Sequence, residues 1–215
     1  MKRILVALAV IALANVAVAD LLVAYDFTGY SGDELRGTST TVNVNMQDPA
    51  YIERGAGVNA SGNASRFNAN NWTETSLNDA VTANDYFTWT LNADSGYTFS
   101  VTNLAFTFQR SSTGGQDWAL RSSLDGFTAN LQTWTALGNS SQTVDLQGSN
   151  LVNQTSIEFR FYGYNGSSTA GTAGFEGSGD DLVINGSVQA IPEPGTMAMF
   201  GAGILALFLV RRRFS

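Results

Sequence analysis

The sequence predicts an all-β chain: a single β-sandwich or jelly-roll domain over residues 20–190, flanked by an N-terminal signal peptide over residues 1–19 and a C-terminal segment over 191–215 that carries a single transmembrane helix. Three observations lead there. Apolar and aromatic residues alternate with Thr, Ser and Asn through the middle of the chain, which is the period of a half-buried strand. No helical apolar period persists between residues 20 and 190. The short alternating runs are separated by Gly-, Asn- and Ser-rich stretches of the kind that supply positive backbone torsions and local side-chain hydrogen bonds, and such punctuation favours a two-sheet sandwich over a barrel.

The N-terminal segment is read from charge and residue size. Lys2 and Arg3 precede an apolar stretch from Ile4 to Leu13, and Ala17-Val18-Ala19 supplies the small-x-small pattern that signal peptidase cuts, with Ala17 and Ala19 as the recognised residues and Asp20 as the mature start. No cysteine follows the cut, which excludes a lipoprotein anchor.

Within the domain, Leu21 to Phe27 reads as the first strand, and Phe87, Trp89 and Leu91 share one face of another. Tyr97, Phe99 and Val101 share a face, after which Leu104, Phe106 and Phe108 resume the alternation one residue out of step. A bulge or short turn near Thr102 and Asn103 explains the slip, because one extra residue re-phases every side chain that follows. Trp118 with Leu120, then Ile157, Phe159 and Phe161, then Leu182 and Ile184 continue the pattern. The turn-rich segments are 55–63, 111–115, Asp125-Gly126 and 165–179, and the Gly-rich stretch from Gly163 to Gly179 is expected to be a surface loop or a flexible insertion. There is no internal repeat of fixed period.

The C-terminal segment runs Pro192-Glu193-Pro194, then sixteen uncharged residues from Gly195 to Val210, then Arg211-Arg212-Arg213. As a helix the apolar run spans roughly 24 Å, short for a hydrocarbon core of about 30 Å. The arginines fall on the cytoplasmic side by the positive-inside bias, which leaves everything before Pro192 outside the membrane. Over residues 191–213 this order of proline-flanked acid, short apolar helix and terminal arginine cluster resembles the PEP-CTERM sorting tail of exported bacterial proteins. The resemblance implies that a membrane-embedded cysteine protease, exosortase, recognises Pro192, Glu193 and Pro194 with Arg211, Arg212 and Arg213 and removes the tail. It further implies transit through the inner membrane, transient anchoring there, delivery to the cell surface or extracellular matrix, and association with exopolysaccharide.

Composition narrows what the domain does. Residues 20–190 hold six arginines, no lysine and seventeen acids, a net charge of −11. Such a surface repels phosphate backbones, so nucleic acid is not an expected partner, whereas calcium and neutral sugars remain open. With no cysteine, the domain is stabilised without disulfides. The absence of histidine and cysteine, and of any lysine after Lys2, removes the usual catalytic triads, His-ligated zinc, thiolate nucleophiles and Schiff-base lysines. Only a carboxylate pair of the glycosidase kind survives as an enzymatic option. The chain is expected to be no enzyme and to need no obligatory cofactor.

Two local patterns bear on ligands. Ala119 to Phe127 looks like the strand and Asp-Gly hairpin of many extracellular sugar-binding sandwiches, and Asp125-Gly126 is equally explained as a turn. Phe175 to Ile184 is similar to the Asp-Asp approach to the last strand of jelly-roll carbohydrate-binding modules. That similarity implies that an aspartate there serves a structural calcium, for which the loop offers Glu176, Asp180, Asp181 and glycine carbonyls, hard oxygen ligands of the type calcium prefers, while an Asx turn at Asp180 is the plain alternative. Trp72 and Trp134, flanked by Asn and Thr, and Tyr162 and Tyr164, beside the Gly-rich stretch, are the surface candidates for stacking on sugars. The expected role is an exported surface or matrix protein, with a carbohydrate-binding module as the alternative.

Overall fold

The structure, a computed structural model, describes residues 20–192. The segment expected to be a signal peptide, with Ala17 and Ala19, the remainder of the sorting motif (Glu193, Pro194, Arg211, Arg212 and Arg213) and the apolar run lie outside the described residues. In chain order the strands are β1 (Asp20–Tyr25), β2 (Gly37–Thr38), β3 (Thr41–Val42), β4 (Tyr51–Arg54), β5 (Asn59–Ala60), β6 (Phe67–Asn70), β7 (Tyr86–Asn92), β8 (Tyr97–Arg110), β9 (Asp117–Ser122), β10 (Gln132–Trp134), β11 (Ser140–Asp145), β12 (Ser156–Tyr164), β13 (Thr172–Phe175) and β14 (Leu182–Ala190). One helix, α1 (Leu77–Ala83), precedes β7.

The strands form two antiparallel sheets. The eight-stranded sheet runs β3-β1-β14-β8-β13-β6-β5, with β11 also paired to β8, and the six-stranded sheet runs β10-β9-β12-β7-β4-β2. Their inner faces meet in one core, because a sheet with one apolar face must bury it against another layer. Phe87, Trp89 and Leu91 alternate inward from β7, while Ile157, Phe159 and Phe161 do so from the paired β12. Opposite them, β8 contributes Phe99, Val101, Leu104, Phe106 and Phe108. Trp118 stacks on Phe161 at 4.6 Å and meets Phe108 edge-on at 4.7 Å, so the two sheets interlock through aromatic contacts. Among the described residues no helix is long and apolar enough to cross a membrane.

The slip predicted near Thr102 is a bulge within one continuous strand. Asn103 pairs with Asn185, but Val101 pairs with Gly186, so Thr102 is the extra residue and its hydroxyl donates to the Asn185 carbonyl at 3.2 Å. Gly186 is required there, since a Cβ would overlap the Ser100 carbonyl.

Two expectations are corrected. The Gly-rich stretch is not all loop: β13 lies inside it and sits between β8 and β6 in the larger sheet. Gly163, Gly166, Gly171 and Gly174 serve close approach rather than flexibility, as a Cβ on Gly174 would overlap the Phe67 carbonyl. Helix α1 is absent from the strand reading because seven residues are too few for a helical period. Its signal is a cap: the Ser76 hydroxyl accepts from the Asp79 amide at 3.2 Å and donates to the Asp79 carboxylate at 2.6 Å, and Asn84 closes the far end in the left-handed region.

Candidate functional site

The four aromatics expected to stack on sugars are not gathered on a surface. Trp72 is fully buried, its ring 4.8 Å from Trp118 and 5.1 Å from Phe87, and its indole N–H donates to the Ala69 carbonyl at 2.9 Å. The polar neighbours misled: Asn71 adopts φ 73° at the end of β6 and turns the chain so that Trp72 enters the core. Tyr162 points outward from β12 yet is 1 % exposed, covered by the edge of Tyr86 at 5.2 Å, with the Arg121 guanidinium 5.8 Å from its ring and α1 lying against its strand. Trp134 is half-buried against Phe106 and Phe161, and its N–H donates to Gln142 Oε1, tying β10 to β11. Tyr164 is half-buried beside Asp117, its paired residue; burial and that carboxylate push its phenol up.

Two of the three candidate calcium ligands have partners elsewhere in the chain. Glu176 forms an ion pair with Arg66, whereas Asp180 is exposed. Asp181 is buried, with Oδ2 accepting from the Phe27 amide at 2.7 Å. Among the described residues no three or more His, Cys, Asp or Glu side chains converge. Glu176 and Asp181, close to Asp180 in the chain, are thus drawn to partners on distant strands and loops, while Asp180 faces solvent.

Burial, reinforced by the charges of Asp26 and Asp180, raises the Asp181 carboxyl to about 6, and burial with the charge of Glu74 raises Asp85 to about 6. A carboxyl whose folded pKa exceeds its unfolded value binds its proton more tightly in the folded state. Its stabilising effect is complete below the unfolded pKa and is lost as pH rises through 6. Lowering the pH from 7.5 to 5 is expected to raise the melting temperature by about 5 °C. Asp181→Asn should flatten that rise; an unchanged slope in the variant would show that the carboxyl does not titrate in this window.

The outward face of the six-stranded sheet is different in character. Alternation places Thr88, Thr90 and Asn92 outward, opposite the apolar set of β7. Pairing across the sheet puts Glu53, Thr88, Arg160 and Arg121 in one row. Arg160 Nε donates to Glu158 at 2.7 Å while its guanidinium lies 4.6 Å over Tyr86 and 3.9 Å over Phe127. Arg36 lies 4.0 Å over Tyr51. Beside this row the surface dips into a cleft of about 210 Å³ lined by Gln47, Pro49, Tyr51, Glu53, Thr88 and Asn92. The lining offers amides, a hydroxyl, a carboxylate and a ring, which are hydrogen-bonding and apolar groups of the kind that specify small polar ligands.

At the opposite end of β14 the domain closes. Asp20 pairs with Gly186, Ala190 pairs with Tyr97, and the Ile191 amide donates to the Gly96 carbonyl at 2.8 Å. Pro192 follows directly.

The family description "PEP-CTERM protein-sorting motif" matches residues 190–213, so the chain carries that motif at its C-terminal end. No curated protein matches the chain. Among solved structures it is similar to CBM29_1, a family 29 carbohydrate binding module from Piromyces equi, at TM-score 0.39 and 10 % identity over 79 % of this chain and 91 % of that one.

Proposed function

We propose that this chain is a non-catalytic protein of the cell surface or extracellular matrix, exported through the inner membrane and delivered by an exosortase-type system. The observation that carries this reading is the sorting motif at residues 190–213, which begins on the last residue of β14. The last strand ends on the first residue of the motif, which supports reading the domain and the tail as separable modules. In this reading signal peptidase cuts after Ala19, the apolar run holds the chain in the inner membrane, and exosortase releases the domain at Pro192-Glu193-Pro194. Deleting residues 192–215 is expected to leave the domain folded, with an unchanged melting temperature, and to change its destination. Unfolding of the truncated chain, or its arrival at the same surface location, would contradict the reading.

A second reading concerns what the delivered domain holds, and the cleft on the six-stranded sheet favours it. We propose a neutral polysaccharide as its ligand. The net charge of −11 disfavours polyanions, Glu53 and the amides of Gln47 and Asn92 suit sugar hydroxyls, and Tyr51, held by Arg36, offers a ring edge beside Pro49. In a titration against neutral oligosaccharides, Tyr51→Ala and Asn92→Ala should each weaken binding about tenfold or more, the cost of roughly one lost hydrogen bond or stacking contact. The melting temperature should hardly move. Equal binding by wild type and both variants, or no binding by wild type, would remove the cleft from the account.

A further inference from the structure

We infer that Ser187–Ile191 is a releasable strap that must leave β8 before the protease can engage the sorting motif; this inference rests on the sorting reading above. The motif and the sheet compete for the same residues. Residue 190 opens the matched motif and also closes β14, where it pairs with Tyr97. Peptides commonly enter a protein groove as extended strands, through backbone N–H and C=O groups. In the folded domain part of that backbone is already used: residues 187–190 are paired with β8, and the Ile191 amide donates to the Gly96 carbonyl.

Length makes the competition acute. From Ile191 to Gly195, where the apolar run begins, four residue steps reach about 14 Å at full extension. A folded domain held to Ile191 therefore sits close against the membrane, with Pro192-Glu193-Pro194 in the gap. Freeing Ser187 to Ile191 adds about 17 Å of reach and exposes the backbone on the N-terminal side of the motif.

The strap is built so that it can part from the sheet without the sheet coming apart. From Leu182 to Gly186, β14 is held on both sides, by β8 and by β1. Beyond Gly186, which pairs with Asp20, the strap pairs among the described residues with β8 alone, and cleavage after Ala19 in the sorting reading leaves nothing ahead of Asp20 to extend β1 along it. The bulge at Thr102, between Asn185 and Gly186 on the partner register, separates the two stretches. Only Val188 packs against the core, while Gln189, Ala190 and Ile191 are exposed.

The chain has no cysteine, so one engineered pair defines one crosslink. Gln189 and Thr98 are paired across the strap, within the spacing a disulfide accepts. Thr107 and Ser141, whose hydroxyls lie 3.1 Å apart between β8 and β11, give a control crosslink in the same sheet. Full-length chains bearing Gln189→Cys with Thr98→Cys, or Thr107→Cys with Ser141→Cys, are presented to exosortase-containing membranes of the native host, oxidised or reduced, and processing is followed by gel shift. The expected result is processing at least tenfold slower for the oxidised strap pair than for its reduced form, with the control pair processed equally in both states. A second variant, Val188→Ser, should be processed about threefold faster than wild type through a loosened strap. Equal processing of the oxidised and reduced strap pair overturns the strap while leaving sorting intact. Failure of the same membranes to process the wild-type chain overturns the sorting reading itself.

Discussion

Phe161→Ala is expected to lower the unfolding free energy by about 3–5 kcal/mol, the cost of deleting a buried aromatic ring from a core that cannot fully collapse around the void. For a domain of this size the melting temperature should fall by about 10 °C. Phe161 is 1 % exposed and lies where the sheets interlock: its ring is 4.6 Å from Trp118, 5.3 Å from Trp134, 5.4 Å from Phe106 and 5.6 Å from Phe108. Those four neighbours come from β8, β9 and β10, so the one side chain couples strands of both sheets. Phe161→Leu, which keeps most of the apolar volume, should cost well under half as much. A loss under about 1 kcal/mol for the alanine variant in urea denaturation would mean that the aromatic core is not the main source of stability.

Arg54→Met is expected to cost about 2–4 kcal/mol, because hydrogen bonds from a charged donor are individually strong and three acceptors lose theirs together. The guanidinium donates to the carbonyls of Asn68 at 2.8 Å, Glu34 at 2.6 Å and Gly32 at 2.9 Å, and lies 3.9 Å over the Phe67 ring. Burial lowers its pKa to about 10, which still leaves it charged at neutral pH. Arg54 thereby fastens the segment around residues 32–34 to β4 and β6, and that segment leads to Arg36 over Tyr51 at the cleft. The variant should therefore weaken oligosaccharide binding as well as stability. Arg54→Lys should rescue little, since one ammonium cannot span three separated carbonyls as a planar fork does. Wild-type stability in the lysine variant, measured by thermal unfolding, would show that charge alone is what the site needs.

How much of this was legible in the sequence depended on how local the determinant is. Alternation on β7, β12 and β14 reports directly which side chains face inward, and the slip at Thr102 was readable because one extra residue re-phases Leu104, Phe106 and Phe108. Strand β13 was hidden because Gly174 within it and Gly171 just before it look like loop residues, when close approach to the neighbouring backbone demands them. The site suffered more. Trp72 has polar neighbours yet enters the core through the left-handed Asn71, and Glu176 and Asp181 stand near Asp180 in the chain but are used by Arg66 and the Phe27 amide, more than a hundred residues away. The cleft joins Gln47 and Tyr51 to Thr88 and Asn92, a juxtaposition created by the β4–β7 pairing and by the Gln47 amide donating to the Asn92 carbonyl. Its one sequence signal was the polar half of the β7 alternation. The sorting motif, by contrast, is contiguous and was legible in full.

Intact-mass measurement of the protein isolated from its native host tests the central claim most directly. Cleavage after Ala19 and at the Pro192-Glu193-Pro194 motif predicts a single species that begins at Asp20 and ends ahead of the apolar run, without Arg211, Arg212 and Arg213. A mature chain that keeps those three arginines contradicts sorting and makes the molecule a bitopic membrane protein with an external β-domain.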